Sequence, residues 1–401
     1  MVNSLIPVLR FPEFKEEEWN KDLLGVITSY VDYRGRAPEK STEGAFLVTA
    51  KNIRKGFIDY ETSKEYVPFE NYNIVMSKGL PKIGDILFTT EAPLGNVCQV
   101  DDDKIALAQR VIKLRGNEGL NNDYLLHYML SFYYQKLINR MAFGTTVLGI
   151  SGKALRKTTI KFPTPTEQTK IATFLTAVDK RISLLQKKKA ELEQYKKGVM
   201  QKLFSQTLRF KNDDGSDFED WEVKSLGQIG ETFNGLTGKT KVDFGIGKPY
   251  IQYMQIFSNS RIDTTNFGLV DVGDDENQSK VQFGDVFFTT SSETPNEIGM
   301  SSVLTEQVDD VYLNSFCFGY RPNSLEELVP EFSQFFFRSS KVRKEIIKLA
   351  QGSTRFNMSK VAFMKLKFDF PKKNEQQKIA TFLSSVDSTS KCNFLVYKFI
   401  K

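Results

Sequence analysis

The sequence predicts an α+β protein. Two repeated domains, mainly antiparallel β with helices, are separated by long helices that pair as an antiparallel coiled coil. Three observations predict it. Residues 164–204 place apolar side chains at Ile171, Leu175, Val178, Ile182, Leu185, Leu192, Val199 and Leu203, in steps of four and three that make a heptad seam. The opening of that stretch, FPTPTEQTKIATFLTAVD at 162–179, returns as FPKKNEQQKIATFLSSVD at 370–387, an offset of 208 residues, so the chain is a tandem repeat. Ahead of each copy stand short β-branched and aromatic runs punctuated by Gly and Asp, the pattern of strands and turns. The repeat divides the chain into a first domain at 1–161, a central spacer helix at 162–207, a second domain at 208–369 and a distal spacer helix at 370–401.

Residues 1–28 form a lead-in in which Trp19, Leu23 and Leu24 begin to pack. Within 29–115 the runs FLVTAKNI, GFIDY, GDILFTT, NVCQV and AQRVIKL are expected as strands. NNDYLLHYMLSFYYQKLINRM at 121–141 is amphipathic and opens with Asn, which predicts one helix. A glycine turn at Gly144 and a strand RKTTIKFP then feed the central helix. Thr164, Pro165 and Glu167 spell a capping box with proline at the first helical position. Lys189 and Lys196 interrupt the seam. The second domain repeats the order: PYIQYMQIF, GDVFFTT and YLNSFCFGY as strands, PEFSQFFFRSSKVRKEIIKLAQ as a helix, a turn at Gly352, and the strand KLKFDFP. The distal helix departs from its copy, since Ser390 and Asn393 stand where the first has Ile182 and Leu185. That tail reads as truncated or altered, which would leave Leu192, Val199 and Leu203 short of partners.

The chain carries a net charge of +6. Residues 1–160 hold 21 basic against 19 acidic side chains and 211–370 hold 17 against 24, while 161–210 hold 11 against 4. The basic excess therefore sits in the helical segment and in the tail, where 371–401 holds 6 against 2, so a uniform basic coat for nucleic acid is absent and the lysine-rich helix reads as a solvated face. Cys98, Cys317 and Cys392 have no paired or metal-binding spacing, which points to a reducing cytoplasm. No run approaches a membrane span and no signal-peptide layout opens the chain.

Enzyme motifs are missing from the sequence. The lone histidine, His127, has Phe335 as its counterpart in the repeat, and a catalytic base would not pair with phenylalanine. GLTGKT at 235–240 ends like a phosphate loop, but its first glycine would fall at Phe233. No zinc spacing, nucleophile elbow or dinucleotide fingerprint is found. Three places in each repeat carry residues able to read nucleic acid. The first is an early loop, with Arg34 and Arg36 in one copy and Thr237, Lys239 and Lys241 in the other. The second is a strand end, with Lys51, Asn52, Arg54 and Lys55, matched by Gln252, Tyr253 and Gln255. The third is the glycine turn, with Gly144, Thr145 and Thr146, matched by Gly352, Ser353, Thr354, Arg355 and Asn357. Arg and Lys donate to guanine, Asn and Gln pair with adenine, and Gly beside Ser or Thr lets backbone amides approach phosphate.

Two diverged domains, each followed by a helix opening EQxKIATFL and carrying a [TS][AS]VD step, resemble the specificity subunit of bacterial type I restriction–modification enzymes. The resemblance covers the chain to about Asp387 and includes GD[IV]xFTT. It implies that the two target-recognition domains bind the halves of a split, asymmetric site in double-stranded DNA and that the subunit itself catalyses nothing. It implies two methyltransferase (modification) subunits docked on the helix starts at Gln168, Ile171, Phe174 and Leu175, and at Gln376, Ile379, Phe382 and Leu383. It further implies restriction/translocase subunits for cleavage, a role in cytoplasmic host defence, and S-adenosylmethionine, ATP and Mg2+ on the other subunits with no cofactor in this chain. The alternatives are a two-domain protein-interaction scaffold and a family member inactivated by its altered C-terminal helix.

Overall fold

The computed structural model describes residue 7, residues 9–33 and residues 37–400, with side chains placed as far as Thr389. It divides into two compact units, Met1–Ile182 and Ser183–Lys401. In the first, a four-stranded antiparallel sheet runs in the order Thr28–Asp32, Val111–Gly116, Ile86–Thr89, Val97–Gln99. A three-stranded sheet of Tyr66–Val67, Ala45–Val48 and Ala106–Leu107 faces it, and its last pairing is parallel. The strand Ile86–Thr89 is buried on both faces, so its alternation sorts two cores. Ile86 and Phe88 pack with Leu24, Leu125 and Met129 on the helical side, and Leu87 packs with Leu47 and Val67 on the other.

The second unit repeats this plan. Gly230–Asn234, Cys317–Pro322, Val286–Thr289 and Ser301–Val303 form the four-stranded sheet. Gly268–Val270, Phe244–Ile251 and Tyr312–Leu313 form the other, again with one parallel pairing. Val286 and Phe288 face the helical core, where Phe288 lies 4.7 Å from Phe363, while Phe287 faces Ile251 and Leu313. Short ladders close each unit. Asn20 pairs with Phe162 in the first, and Glu222 pairs with Phe370 in the second.

Several expected elements break where a polar residue offers a better local bond. The helix expected over 121–141 is two, Asn122–Leu130 and Phe132–Met141. Ser131 sits extended between them and its hydroxyl accepts the Tyr134 amide, a cap that ends one helix and starts the next. The second copy does the same at Ser339, between Pro330–Phe336 and Ser340–Ile347. The strand expected at 249–257 stops at Ile251 and becomes the helix Tyr253–Ser258. Arg156 belongs to a helical turn, Gly152–Arg156, capped by Ser151, and the following strand is Thr159–Phe162.

Both long helices are present, Pro165–Phe204 and Lys373–Ile400. Within the second unit they pack antiparallel, with Leu203, Val199 and Met200 gathered into one core with Ile379, Ala380 and Leu383. Leu203 and Val199 thus have partners, contrary to expectation. Lys196 is a link rather than an interruption: its ammonium lies 2.5 Å from Asp387 and 5.0 Å from the Phe335 ring centroid. Ser390 and Asn393 lie where no side chains are described.

The capping box at Thr164 does not form as expected. The Thr164 hydroxyl donates to Glu17 instead, at 2.8 Å. Glu167 is fully buried and receives a two-pronged bond from Arg10, Nε at 2.7 Å and Nη2 at 2.6 Å. Its copy Glu375 receives Arg209 at 3.1 and 2.9 Å and the Trp221 indole at 2.9 Å. Each arginine also donates to a lead-in carbonyl, Arg10 to Glu17 and Arg209 to Glu219. The neighbouring glutamines repeat as closely. Gln168 accepts from the Asn121 amide and donates to the Gly119 and Pro163 carbonyls. Gln376 accepts from the Val329 amide and donates to Glu327 and Pro371. Every charge and amide is satisfied, the condition under which a buried polar cluster holds a fold.

His127 packs against the central helix with its Nε2 3.0 Å from the Thr176 hydroxyl and its Nδ1 3.7 Å from Asp179. Burial pushes its pKa below 6.5, only partly opposed by Asp179 and Asp123. A base whose folded pKa is depressed stabilises the fold above its unfolded value and loses that contribution as pH falls through the folded value.

Two outcomes follow. Arg209→Ala leaves Glu375 buried without its guanidinium and is expected to cost about 3–5 kcal/mol; calorimetry should show the melting transition of the second unit moved down, and an unchanged transition would contradict the ion pair. His127→Phe, which installs the residue found at 335, should flatten the part of the stability profile lost below pH 6.5; melting curves on either side of that pH check it.

Candidate functional site

In each unit the Gly-Asp strand carries a buried carboxylate at its start and reaches the surface at its end. Asp85 accepts the Lys82 amide and an Arg115 bond of 2.5 Å. Asp285 accepts the Gln282 amide and both prongs of Arg321, at 2.8 and 2.6 Å. These carboxylates fix the strands and touch no open surface. The polar loops collect at the other end.

In the second unit a glycine hairpin docks on that end. Ala350–Gln351 and Phe356–Met358 pair, and Ser291 pairs with Asn357. Gly352 holds φ +126°, and a Cβ there would meet the Arg355 carbonyl at 2.3 Å, so the tight turn requires glycine. The tip, with Ser353, Thr354, Arg355 and Asn357, is exposed. A cleft of about 350 Å³ opens beside it, lined by Tyr253, Phe257, Ser291, Glu293, Phe316 and Arg355 among others. Tyr253 lies nearly parallel to Phe257 at 6.0 Å and donates to the Ser291 carbonyl at 3.0 Å. The structure therefore unites the strand-end and glycine-turn candidates of this copy.

The first unit has the same frame with different contents. Phe143 and Gly149 exchange backbone bonds, and Gly149 also bridges Glu91. Gly144 takes φ +104°, and Gly144, Thr145 and Thr146 are exposed at the tip. The turn bearing Lys51 and Lys55 lies against the same strand end, through the Gly56 amide on Val97 and the Asn96 side chain on Ile53. Lys51 and Lys55 are exposed. Arg110 and Phe316, which the sequence did not single out, occupy matching places: Thr90 donates to the Arg110 carbonyl at 2.9 Å and Thr290 to Phe316 at 3.0 Å. Arg110 pairs with Glu91 at 2.6 Å and takes φ +70°, a left-handed conformation that marks constrained positions in a non-glycine residue. Aligning AQRVIKL with NSFCFGY would have found both.

Other candidates are committed to the fold. Asn52 is fully buried and accepts from the Thr49 amide and hydroxyl while donating to the Asp59 and Thr62 carbonyls. Gln255 occupies the matching place, accepting the Asp263 amide and donating to the Asn266 carbonyl. Neither side chain is free to pair with adenine. Arg54 is held by Asp59 and Thr62. Lys239 pairs with Glu276 at 2.5 Å and, with backbone and Gln278 bonds, holds that carboxyl at about 2. Thr237 exchanges bonds with Gln278. Gln252 and Lys241 are exposed. Arg34 and Arg36 lie outside the described residues. Two further arginines, Arg338 and Arg343, are half-buried among backbone carbonyls, and loss of water lowers each to about 10.

The helix starts present a duplicated groove. Gln168 and Gln376 are fully buried in the contacts above, and Ile379 and Leu383 lie in the second core, so these four cannot face a partner. Ile171 packs on the first core, and Leu175 is half-buried. What faces outward in the first unit is Phe174, edge-on to Phe11 at 6.0 Å, with Thr169, Lys170 and Thr173. The second unit repeats it with Phe382 against Phe210 at 5.7 Å, Gln377, Lys378 and Thr381. The lysines repeat too. Lys170 lies 4.7 Å above Phe11, and Lys378 lies 5.6 Å above Phe218 and 2.6 Å from Asp213.

The family model described as "Type I restriction modification DNA specificity domain" matches the chain twice, at residues 30–194 and 218–393. The MjaVIII specificity subunit of a type I restriction enzyme from Methanocaldococcus jannaschii is 23% identical over 405 residues, 95% of this chain and 88% of that one. That relative is archaeal, where a bacterial family was expected. Among solved structures, the type I S subunit from M. genitalium superposes with a TM-score of 0.60 at 16% identity, covering 99% of this chain and 95% of that one. A chain of a type I complex studied for its assembly and conformational transition gives 0.57 at 17% identity, covering 98% and 96%. With both repeats matched over most of their length, the chain belongs to the type I restriction–modification DNA specificity domain family.

Proposed function

We propose that this chain is the sequence-recognition subunit of a type I restriction–modification complex, directing methyltransferase and restriction subunits to a bipartite, asymmetric DNA site. One observation carries it: two loop surfaces of different chemistry stand on one duplicated frame. Arg110 closed on Glu91 occupies the strand end in the first unit, and Tyr253, Phe316 and Arg355 occupy it in the second. Readers that differ select different half-sites. Joining two weak readers in one chain raises affinity for duplexes that carry both. Such binding should be salt-dependent, as phosphate contacts release counterions.

The grooves of Phe11 with Phe174 and of Phe210 with Phe382 repeat in residue type and in ring separation, 6.0 and 5.7 Å, with ring angles of 86° and 59°, which supports docking of two copies of one modification subunit. On this proposal methyl transfer, ATP-driven translocation and cleavage, with S-adenosylmethionine, ATP and Mg2+, belong to the other subunits in the cytoplasm of a prokaryotic cell.

Co-expression with a modification subunit in a methylation-free host, followed by genome-wide mapping of modified bases, should give a split, asymmetric motif with a constant gap. A symmetric motif, or unmodified DNA from a complex that co-purifies, would contradict the proposal. Phe174→Ala, which opens one groove and leaves the core untouched, should reduce the modification subunits bound from two to one by native mass spectrometry, with the chain itself still folded.

A further inference from the structure

Glu293 and Arg355 line the same cleft, and among the described residues neither side chain has a hydrogen bond or ion pair. That is unusual for opposite charges sharing one rim. The third charged lining residue, Glu297, is occupied by the Thr294 hydroxyl at 2.9 Å. Arg355 is held by the hairpin whose turn only glycine fits, and the Met358 amide anchors that hairpin on the Thr290 carbonyl at 3.1 Å. Between them the cleft presents Phe316 and Met254, 59% and 60% exposed. Apolar groups left at a surface beside unpaired charges fit a ligand with both polar edges and flat apolar faces. At the corresponding strand end of the first unit Arg110 and Glu91 neutralise each other, with Arg110 standing where the second unit has Phe316 and Val147 where it has Arg355. Among the described residues, this open pair at the strand end is found in the second unit.

We infer that Arg355 and Glu293 read one G·C base pair in the half-site taken by the second unit. This rests on the function proposed above. A guanidinium fork donates to guanine O6 and N7, and a carboxylate accepts from the cytosine N4 amine, so unlike charges facing one base pair address its two members. Phe316 and Met254 exclude water from those bonds and strengthen them.

The test maps methylation by complexes carrying the wild-type chain, Arg355→Ala, Arg355→Lys or Glu293→Gln, with melting curves and co-purification recorded for each. Arg355→Ala and Glu293→Gln should both loosen the same single position, G·C in the wild-type motif, by about tenfold or more in preference. The other half-site should be unchanged. Arg355→Lys, which keeps the charge and loses the fork, should loosen that position less. The assignment is overturned if the variants affect different positions, if the position is A·T, if the motif is unaltered, or if all sites weaken alike in an assembled complex, as a phosphate contact would give. A wild-type map without a split motif would instead bring down the functional proposal itself.

Discussion

At the first turn of each long helix a glutamate and a glutamine are taken wholly out of water, and the rest of each unit is arranged to satisfy them. Glu167 and Glu375 receive an arginine from the lead-in segment. Gln168 and Gln376 each span three backbone groups, two carbonyls and one amide. An unpaired buried carboxylate would be far more costly than an unpaired amide, so the arginines fix where the chain enters each unit. The glutamines fix the loop that precedes the first domain helix. Because they grip only backbone, they place no demand on the side chains of the domain they hold.

That indifference explains how one frame carries unlike loops. The Gly-Asp strand, its arginine partner and the double-helix layer repeat in place, although few residues of the helices are the same. Even substituted positions keep their bonds: Gln135 donates to the Gly95 carbonyl where Arg343 donates to Gly299. Asn52 and Gln255 likewise hold their turns from the same place in different chemistry. Divergence collects at the strand end, where Arg110 answers Phe316 and no packing requirement reaches.

The architecture was legible because it is written twice. The helix openings and the Gly-Asp strands each had two copies to confirm them, while the full heptad seam was read from the central helix alone. Breaks were harder to see. Ser131 and Ser339 lie inside amphipathic patterns long enough to read as single helices, and only the cap geometry shows that the serine wins. Site residues were least legible, since residue type alone does not distinguish an exposed donor from a buried one. Asn52, Gln255 and Arg54 look like base readers in the sequence and act as turn clamps. Gln168 and Gln376 look like docking residues because they recur, yet they recur for the frame. Beside them Phe174 is exposed, while Phe382 is half-buried against the second core.

The central claim is that frame and reader are separable, and the structure marks where to cut. The ladders ending in Asn20 with Phe162 and in Glu222 with Phe370 close each unit just inside its arginine and glutamate. Replacing residues 20–162 with a copy of 222–370 leaves Arg10, Glu167 and both long helices in place. Methylation mapping with that chimera should yield a motif whose two halves are the same sequence. A retained asymmetric motif, or a chimera that melts without cooperativity, would contradict the claim.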